Sequence, residues 1–225
     1  MIRGIREQAL SIFFGAIFLA ALVGQSFVGL AAYNNDQATH GAPEVGYGTF
    51  VTSSAFVVDV AENWQSEFLQ FLLFILATVW LVQRGSPESK KPGDEGTGSD
   101  KEEFVLEFAR PDSPKWAKVR GIRLWLLSNS LVLVMGTIFV LSWLAQSVAG
   151  SVVFNAEQVD HGLPQQSWAQ YLVNPDFWNR TLQNWQSEFL AVGCMVAFSI
   201  YLRQRGSSES KPVGTPHRET ATEGE

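Results

Sequence analysis

Apolar residues gather into four stretches of this chain, and the stretches come in two pairs. Ala9 to Ala32 is apolar apart from Ser11, Gln25, Ser26 and its glycines, and Leu124 to Val148 is similarly poor in charge. Phe68 to Val82 carries only Gln70 and Thr78 as polar residues, and Phe189 to Leu202 matches it. A bilayer core needs about 20 mostly apolar residues per helix. Two stretches meet that length outright, and two reach it when Trp64 and Trp185 are taken as interfacial ends. Four such stretches in one chain of 225 residues leave too few amphipathic residues to cover them as core helices of a soluble protein. Arg3 and Arg6 precede the first stretch as in a signal peptide. The run is longer than a signal core, however, and its counterpart lies mid-chain, so the first stretch is expected to be retained.

The pairs are copies of one pattern. Asn63-Trp64-Gln65-Ser66-Glu67-Phe68-Leu69 returns unchanged 121 residues later as Asn184-Trp185-Gln186-Ser187-Glu188-Phe189-Leu190, and Gln83-Arg84-Gly85-Ser86 returns as Gln204-Arg205-Gly206-Ser207. At the same offset Gly15, Gln25, Ser26, Gly29, Asn34, His40, Gly41 and Pro43 match Gly136, Gln146, Ser147, Gly150, Asn155, His161, Gly162 and Pro164. An ungapped offset over this distance predicts one structural unit built twice.

Charge sets the expected orientation. Of the 16 basic residues, only Arg180 falls in the segments 33–62 and 151–183; the others precede the first span, lie between the second and third, or follow the fourth. The positive-inside rule then puts both termini in the cytoplasm. Each copy has two spans, so the second enters the membrane in the same sense as the first. The expected fold is all-α integral membrane: four transmembrane helices arranged as two parallel two-helix repeats, related by a pseudo-two-fold along the membrane normal, unlike inverted transporter repeats. The expected segments are a first hairpin over 1–84 (spans about 9–32 and 64–84), a disordered cytoplasmic linker over 85–114, a second hairpin over 115–205 (spans about 123–149 and 185–204) and a disordered cytoplasmic tail over 206–225.

Local signals refine this. Asn174-Pro175-Asp176 has an N-cap, an N1 proline and a first-turn acid in order, with Ser53-Ser54 in the matching place, so the second helix of each copy should start well outside the bilayer. On its outer part, Phe177, Trp178, Leu182 and Trp185 share a face. Ser167 to Leu172 reads as a short outer helix, Trp116 between Lys115 and Lys118 as an interfacial anchor, and Phe104 to Phe108 as a short apolar interruption of the linker. Ala16, Ala20 and Gly24 form a small-residue ridge suited to close helix packing.

Candidate chemistry is sparse. Counting at 1.5 Å per residue from the inner arginines puts Gln25 and Glu67 about 25–28 Å up their helices, near the outer edge of the hydrocarbon layer, and the repeat adds Gln146 and Glu188. One reading is a polar layer around the pseudo-axis that binds a cation, proton or polar ligand. The other is that each glutamate faces headgroups or accepts hydrogen bonds from the outer loop. In that case each change to Gln costs about 1–3 kcal/mol and the two costs add. His40, Gly41 and Pro43, with His161, Gly162 and Pro164, form the repeated outer-loop motif, explained by a turn that positions histidine. None of these residues has the close spacing of a preformed metal site, so no metal and no cofactor is expected. Arg-Gly-Ser-x-Glu-Ser-Lys after each second span reads as a helix stop followed by a charged turn. Cys194 is alone and uninformative. The net charge of −6 gives no reason to expect nucleic acid. No nucleophile–base pair, phosphate loop or dinucleotide fingerprint is present, so no enzyme is expected.

The combination of His-Gly-x-Pro, Asn-Trp-x-Ser-Glu-Phe-Leu and Arg-Gly-Ser-x-Glu-Ser-Lys resembles an uncharacterised family of small bacterial membrane proteins classified as a domain of unknown function. The resemblance runs from about Arg3 to Lys211 without the central linker; the second copy departs by having Ala191 where the first has Gln70. It implies a multi-pass protein of the bacterial inner (plasma) membrane and no particular activity. A non-enzymatic scaffold or envelope-stress interaction protein is the expected function. Its partners would be the lipid bilayer and a protein at the outer loops or the cytoplasmic linker. A small transporter or channel using the Glu/Gln layer is the alternative.

Overall fold

The computed structural model describes residues 2–220, with side chains from residue 5 onward; positions 221–225 of the expected tail lie outside the described residues. Among the described residues the regular structure is helical, with no strand. The helices are α1 (Ile2–Glu7), α2 (Ala9–Thr39), α3 (Tyr47–Val51), α4 (Ser54–Trp80), α5 (Ile122–Ser128), α6 (Ser130–Asp160), α7 (Trp168–Tyr171) and α8 (Pro175–Tyr201), with 3-10 turns at Leu106–Phe108 and Lys115–Lys118. The boundaries carry the sequence offset: α2 and α6 both have 31 residues, α4 and α8 both have 27, and their starts are displaced by the same 121 positions.

The long helices start where the sequence offers caps. Asn174 is extended, its side chain accepts the Asp176 N–H, and Pro175 occupies the first helical position, where a missing N–H is harmless. In the other copy the Ser53 hydroxyl accepts from the Phe56 N–H at 3.3 Å. α2 and α6 run further than their apolar stretches, continuing through Asn34 and Asn155 before stopping at Thr39 and Asp160. The third apolar stretch is divided: α5 ends at Asn129, whose amide donates to the Trp125 carbonyl at 2.8 Å, and α6 follows.

Among the described residues two helices, α2 and α6, are long and apolar enough to cross a membrane. α4 and α8 do not qualify on the same terms. Their apolar halves, from Phe68 and Phe189 onward, share a helix with the polar Asn-Trp-Gln-Ser-Glu sequence and with Asp59, Glu62 or Arg180. Along α2 only Ser26 is buried, and Leu10, Phe13, Phe14, Leu19, Phe27 and Val28 are all exposed. A continuous apolar surface of that extent marks an interaction with something apolar.

By backbone proximity the chain forms two compact units, Met1–Ala61 with Ala145–Leu172, and Glu62–Leu144 with Val173–Glu225. In the first unit each long helix carries a folded cap built by the same contacts. Phe50 and Tyr171, at matching positions of α3 and α7, are both buried. Each sits over a glycine: a Cβ on Gly29 would lie 3.0 Å from Phe50 Cζ, and one on Gly150 2.7 Å from the Tyr171 hydroxyl. Tyr33 packs on Phe50, and Phe154 packs on Tyr171. Ser26 Oγ and the Tyr47 hydroxyl are 2.9 Å apart, and Trp168 Nε1 donates to Ser147 Oγ at 3.2 Å. α7 is capped at both levels by Ser167 and Gln170 in a capping box.

In the second unit Trp143 is the centre of an aromatic cluster. Its ring stacks with Phe139 and Phe177 and meets Trp178 edge-on and Trp185 at a tilt, with centroids 5.6–6.1 Å apart. Trp185 Nε1 donates to Oε1 of the fully buried Gln65 at 2.8 Å. Of the face expected to be shared by Phe177, Trp178, Leu182 and Trp185, Phe177 is buried while Trp178 and Leu182 stay exposed.

Candidate functional site

The histidine motif is a helix terminator. Gly41 and Gly162 have φ of +70° and +68°, a conformation in which a Cβ is unfavourable. The next amides turn back into the helix: Ala42 N–H donates to the Gln37 carbonyl at 2.9 Å and Leu163 N–H to the Gln158 carbonyl at 2.8 Å. These bonds supply partners for carbonyls that a helix end leaves open. His40 Nδ1 meets the Asp36 carbonyl at 2.9 Å and His161 Nδ1 the Glu157 carbonyl at 2.7 Å. A carbonyl only accepts, so Nδ1 is the donor in each of these contacts. Pro43 and Pro164 follow in the segments leading to α3 and α7.

Those segments are tied back by two asparagines. Asn34 Oδ1 accepts the Val45 N–H at 2.9 Å while its Nδ2 donates to the Val45 carbonyl at 3.1 Å. Asn155 makes the same two-way contact with the backbone of Gln166, at 2.8 Å in both directions. A side-chain amide can satisfy the N–H and C=O of one residue at once, and aspartate or serine could not reproduce both bonds.

The four residues of the expected polar layer divide between the units. Gln25 and Gln146 belong to the first, where Gln25 is exposed and Gln146 is buried. Glu67 and Glu188 belong to the second and lie beside each other, with Ser66 as a further polar neighbour of Glu188. Glu67 is exposed and Glu188 half-buried. An open polar cavity of about 310 Å³ lies about one to three helical turns before them along α4 and α8, lined by Glu62, Asp176, Asn179, Arg180, Gln183 and Asn184. Arg180 bridges its walls, 3.6 Å from Glu62 and 3.4 Å from Asp176. Among the described residues no group of three or more His, Cys, Asp or Glu converges as a metal site would need.

The motif after each second span folds into a knot. Gly85 and Gly206 have φ of +89° and +82°. Ser89 Oγ accepts the Gln83 N–H at 2.7 Å, and Ser210 Oγ accepts the Gln204 N–H at 2.9 Å. Ser86 Oγ and Ser207 Oγ each accept from the glutamate amide two residues on, at 3.1 Å. The two glutamates reached this way, Glu88 and Glu209, face each other. Burial, then the Glu209 charge, raises the Glu88 carboxyl above its ordinary value of 4.5.

A family model described as a domain of unknown function, DUF6766, matches residues 1–222. The chain belongs to that family. No curated protein and no solved structure matches it. Membership in DUF6766 therefore brings no activity with it, and the site must be read from its own contacts.

Sequence reasoning missed a buried, highly connected cation of this DUF6766 chain. Lys211, 1 % exposed, points its ammonium at the carbonyls of Gly85, Glu219, His217 and Pro216, and the Thr220 hydroxyl accepts the Gly85 N–H at 2.8 Å. Burial, then the nearby Arg203, lowers its pKa, against an opposing pull from Glu219. The tail expected to lack structure from 206 onward is thus bonded, up to Thr220, to the end of the α4 segment. The linker likewise carries turns, with Lys90 donating to the Gly96 carbonyl. The sequence signal for the knot was the recurrence of the Arg-Gly-Ser-x-Glu-Ser-Lys motif, Lys90 returning as Lys211. It could not show that one lysine collects four carbonyls and the other one.

Proposed function

We propose that this protein is a four-span α-helical scaffold of the bacterial inner membrane, with both termini cytoplasmic. Its two parallel hairpins are related by a pseudo-two-fold along the membrane normal. The observation that carries the scaffold reading is that the repeated polar motifs are spent on internal bonds. The histidines and asparagines close the outer turns, and the serines and Lys211 close the inner ones. A catalytic or transport motif would instead keep polar side chains turned toward a cavity. The pseudo-two-fold is supported by two pairs of equivalent residues that neighbour their own counterparts, Glu67 with Glu188 and Glu88 with Glu209. Equivalent residues meet only near the axis that relates them. In this reading the outer caps and the inner linker present rigid surfaces to protein partners in the envelope, and the protein carries out no chemistry.

A small transporter is the second reading, favoured by the adjacency of Glu67 and Glu188 below a polar opening. Ionisable residues at membrane depth are commonly functional. Proteoliposomes containing a pH-sensitive dye separate the two. The scaffold reading expects proton and sodium leak equal to that of protein-free vesicles. A leak that rises with protein and disappears in Glu67→Gln/Glu188→Gln would overturn it in favour of transport.

A further inference from the structure

Between Ala109 and Trp125 five cations, Arg110, Lys115, Lys118, Arg120 and Arg123, stand against one acid, Asp112, while Glu103 and Glu107 lie just before them. The same stretch exposes Trp116, Val119, Ile122 and Trp125. The two 3-10 turns and α5 pack on one another, so charge and exposed apolar surface belong to one local cluster. The cluster leads, across Asn129, into the long apolar helix α6. It encloses an open cavity of about 500 Å³ whose lining joins Val105, Ala117 and Leu127 to Arg110 and Ser113 and to two acids, Glu103 and Asp112, so the cations that face outward lie beside the cavity and not in it. The Arg110 guanidinium is held 3.8 Å over the Phe104 ring, a cation–π contact that fixes its direction.

We infer that this cluster is a docking surface for the headgroups of anionic phospholipids, with Lys115, Lys118, Arg120 and Arg123 taking the phosphate and the exposed Trp116, Ile122 and Trp125 meeting the first carbons of the acyl chains. The inference rests on the membrane-spanning reading. Charge complementarity and continuity with α6 identify the occupant. A soluble anion would use the cations and leave Trp116, Ile122 and Trp125 bare, whereas a bilayer surface meets both. Basic residues next to a span are drawn to anionic lipid, and aromatic rings settle at headgroup depth.

The test uses the full chain with Cys194→Ala and a single cysteine, Val119→Cys, carrying a fluorophore. The protein is reconstituted in phosphatidylcholine vesicles with an equal fraction of either phosphatidylglycerol or phosphatidylcholine spin-labelled near the headgroup. Quenching should favour the phosphatidylglycerol by roughly fivefold or more, the effect of one basic residue at an anionic surface. The preference should fall toward unity in Lys115→Gln/Lys118→Gln/Arg120→Gln, and also in the unmutated cations' background at about 1 M salt, where the screening length is about 3 Å. The salt arm does not depend on how well the triple variant folds. Equal quenching by both lipids, or a preference that survives salt, overturns the inference. Quenching by neither lipid also overturns it, because the surface would then face away from the bilayer and fit a protein. A chain that fails to float with vesicles after an alkaline wash would instead sink the membrane reading itself.

Discussion

Gly150 and Tyr171 fill one space between them: a Cβ added at Gly150 would stand 2.7 Å from the Tyr171 hydroxyl oxygen. Tyr171 is only 1 % exposed, so its ring cannot swing away. Gly150→Ala should therefore lower stability by about 1–3 kcal/mol, the range for overpacking a tight site. Adding Tyr171→Phe removes the clashing oxygen and leaves ring carbons at 3.3 Å. Thermal unfolding in detergent of the two single variants and the double should show a favourable coupling. Strictly additive losses would mean that the glycine is there for another reason. Gly29→Ala against Phe50, with contacts of 3.0 and 3.2 Å, should follow the same direction more mildly.

The asparagine ties give a graded series. Asn155→Ala leaves both backbone groups of Gln166 without their partner and should cost about 1–3 kcal/mol. Asn155→Asp keeps the acceptor for the Gln166 N–H and loses the donor to its carbonyl, so it should fall between wild type and alanine. Amide exchange of Gln166, and of Val45 in the Asn34 variants, reads the same order locally. Equal behaviour of Ala and Asp would remove the two-way geometry from the explanation.

For Glu67 and Glu188 the sequence suggested separate loop acceptors, whose neutralisation would cost independently. The structure gives Glu188 different neighbours, Glu67 and Ser66. Two carboxylates side by side repel, so Glu67→Gln or Glu188→Gln should leave stability unchanged or raise it. The second change should add less than the first, with a coupling of about 0.5 kcal/mol or more. Additive losses in a detergent melt would restore the loop-anchor reading.

Glu88 makes a pH prediction. Its folded-state value is raised above 4.5 by burial and by Glu209, so the folded protein holds a proton that the unfolded chain releases. Its contribution is therefore fully favourable below 4.5 and is lost as pH rises from there to the raised folded value. Glu88→Gln should match wild type in acid and be the more stable protein at neutral pH, by on the order of 1 kcal/mol or less given solvent screening. Melting temperatures across pH 4–8 check the sign.

The expected topology can be read directly. In a Cys194→Ala background, cysteines at Thr39 and Asp160 should react with a membrane-impermeant thiol reagent in intact cells, and cysteines at Ser99 and Thr215 should not. Labelling of Ser99 from outside would reverse the orientation.

The helices were legible because hydropathy and capping act locally. Asn174-Pro175-Asp176 and the Ser167 to Leu172 helix report on neighbours a few positions away, and the 121-residue offset carries each local reading to its second copy. The extension of α2 and α6 through Asn34 and Asn155 was not legible, since polar residues there normally end a helix. They continue it because their side chains bond a backbone eleven residues on. α3 escaped notice for the same kind of reason. Gly46 stands where α7 has Ser167 as its N-cap, so the first copy lacks the cap signal although Phe50 anchors it just as Tyr171 anchors the other. Among the candidate residues, the sequence grouped the four Glu and Gln positions by depth alone. Depth along a helix says nothing about azimuth, and the exposed Gln25 and the buried Gln146 show how much azimuth decides.

The outer caps also bear on how the chain assembles. Each closes within a single hairpin, Ser26 reaching Tyr47 and Asn34 reaching Val45, whereas Gln65 waits for Trp185 and Gly85 for Lys211. Short loops close with little loss of entropy and long ones only against a larger one. During synthesis the first cap can therefore be finished while the second copy is still in the ribosome. The late contacts then join two pieces that are already shaped, and a truncated chain ending in the linker should still protect its Val45 amide from exchange.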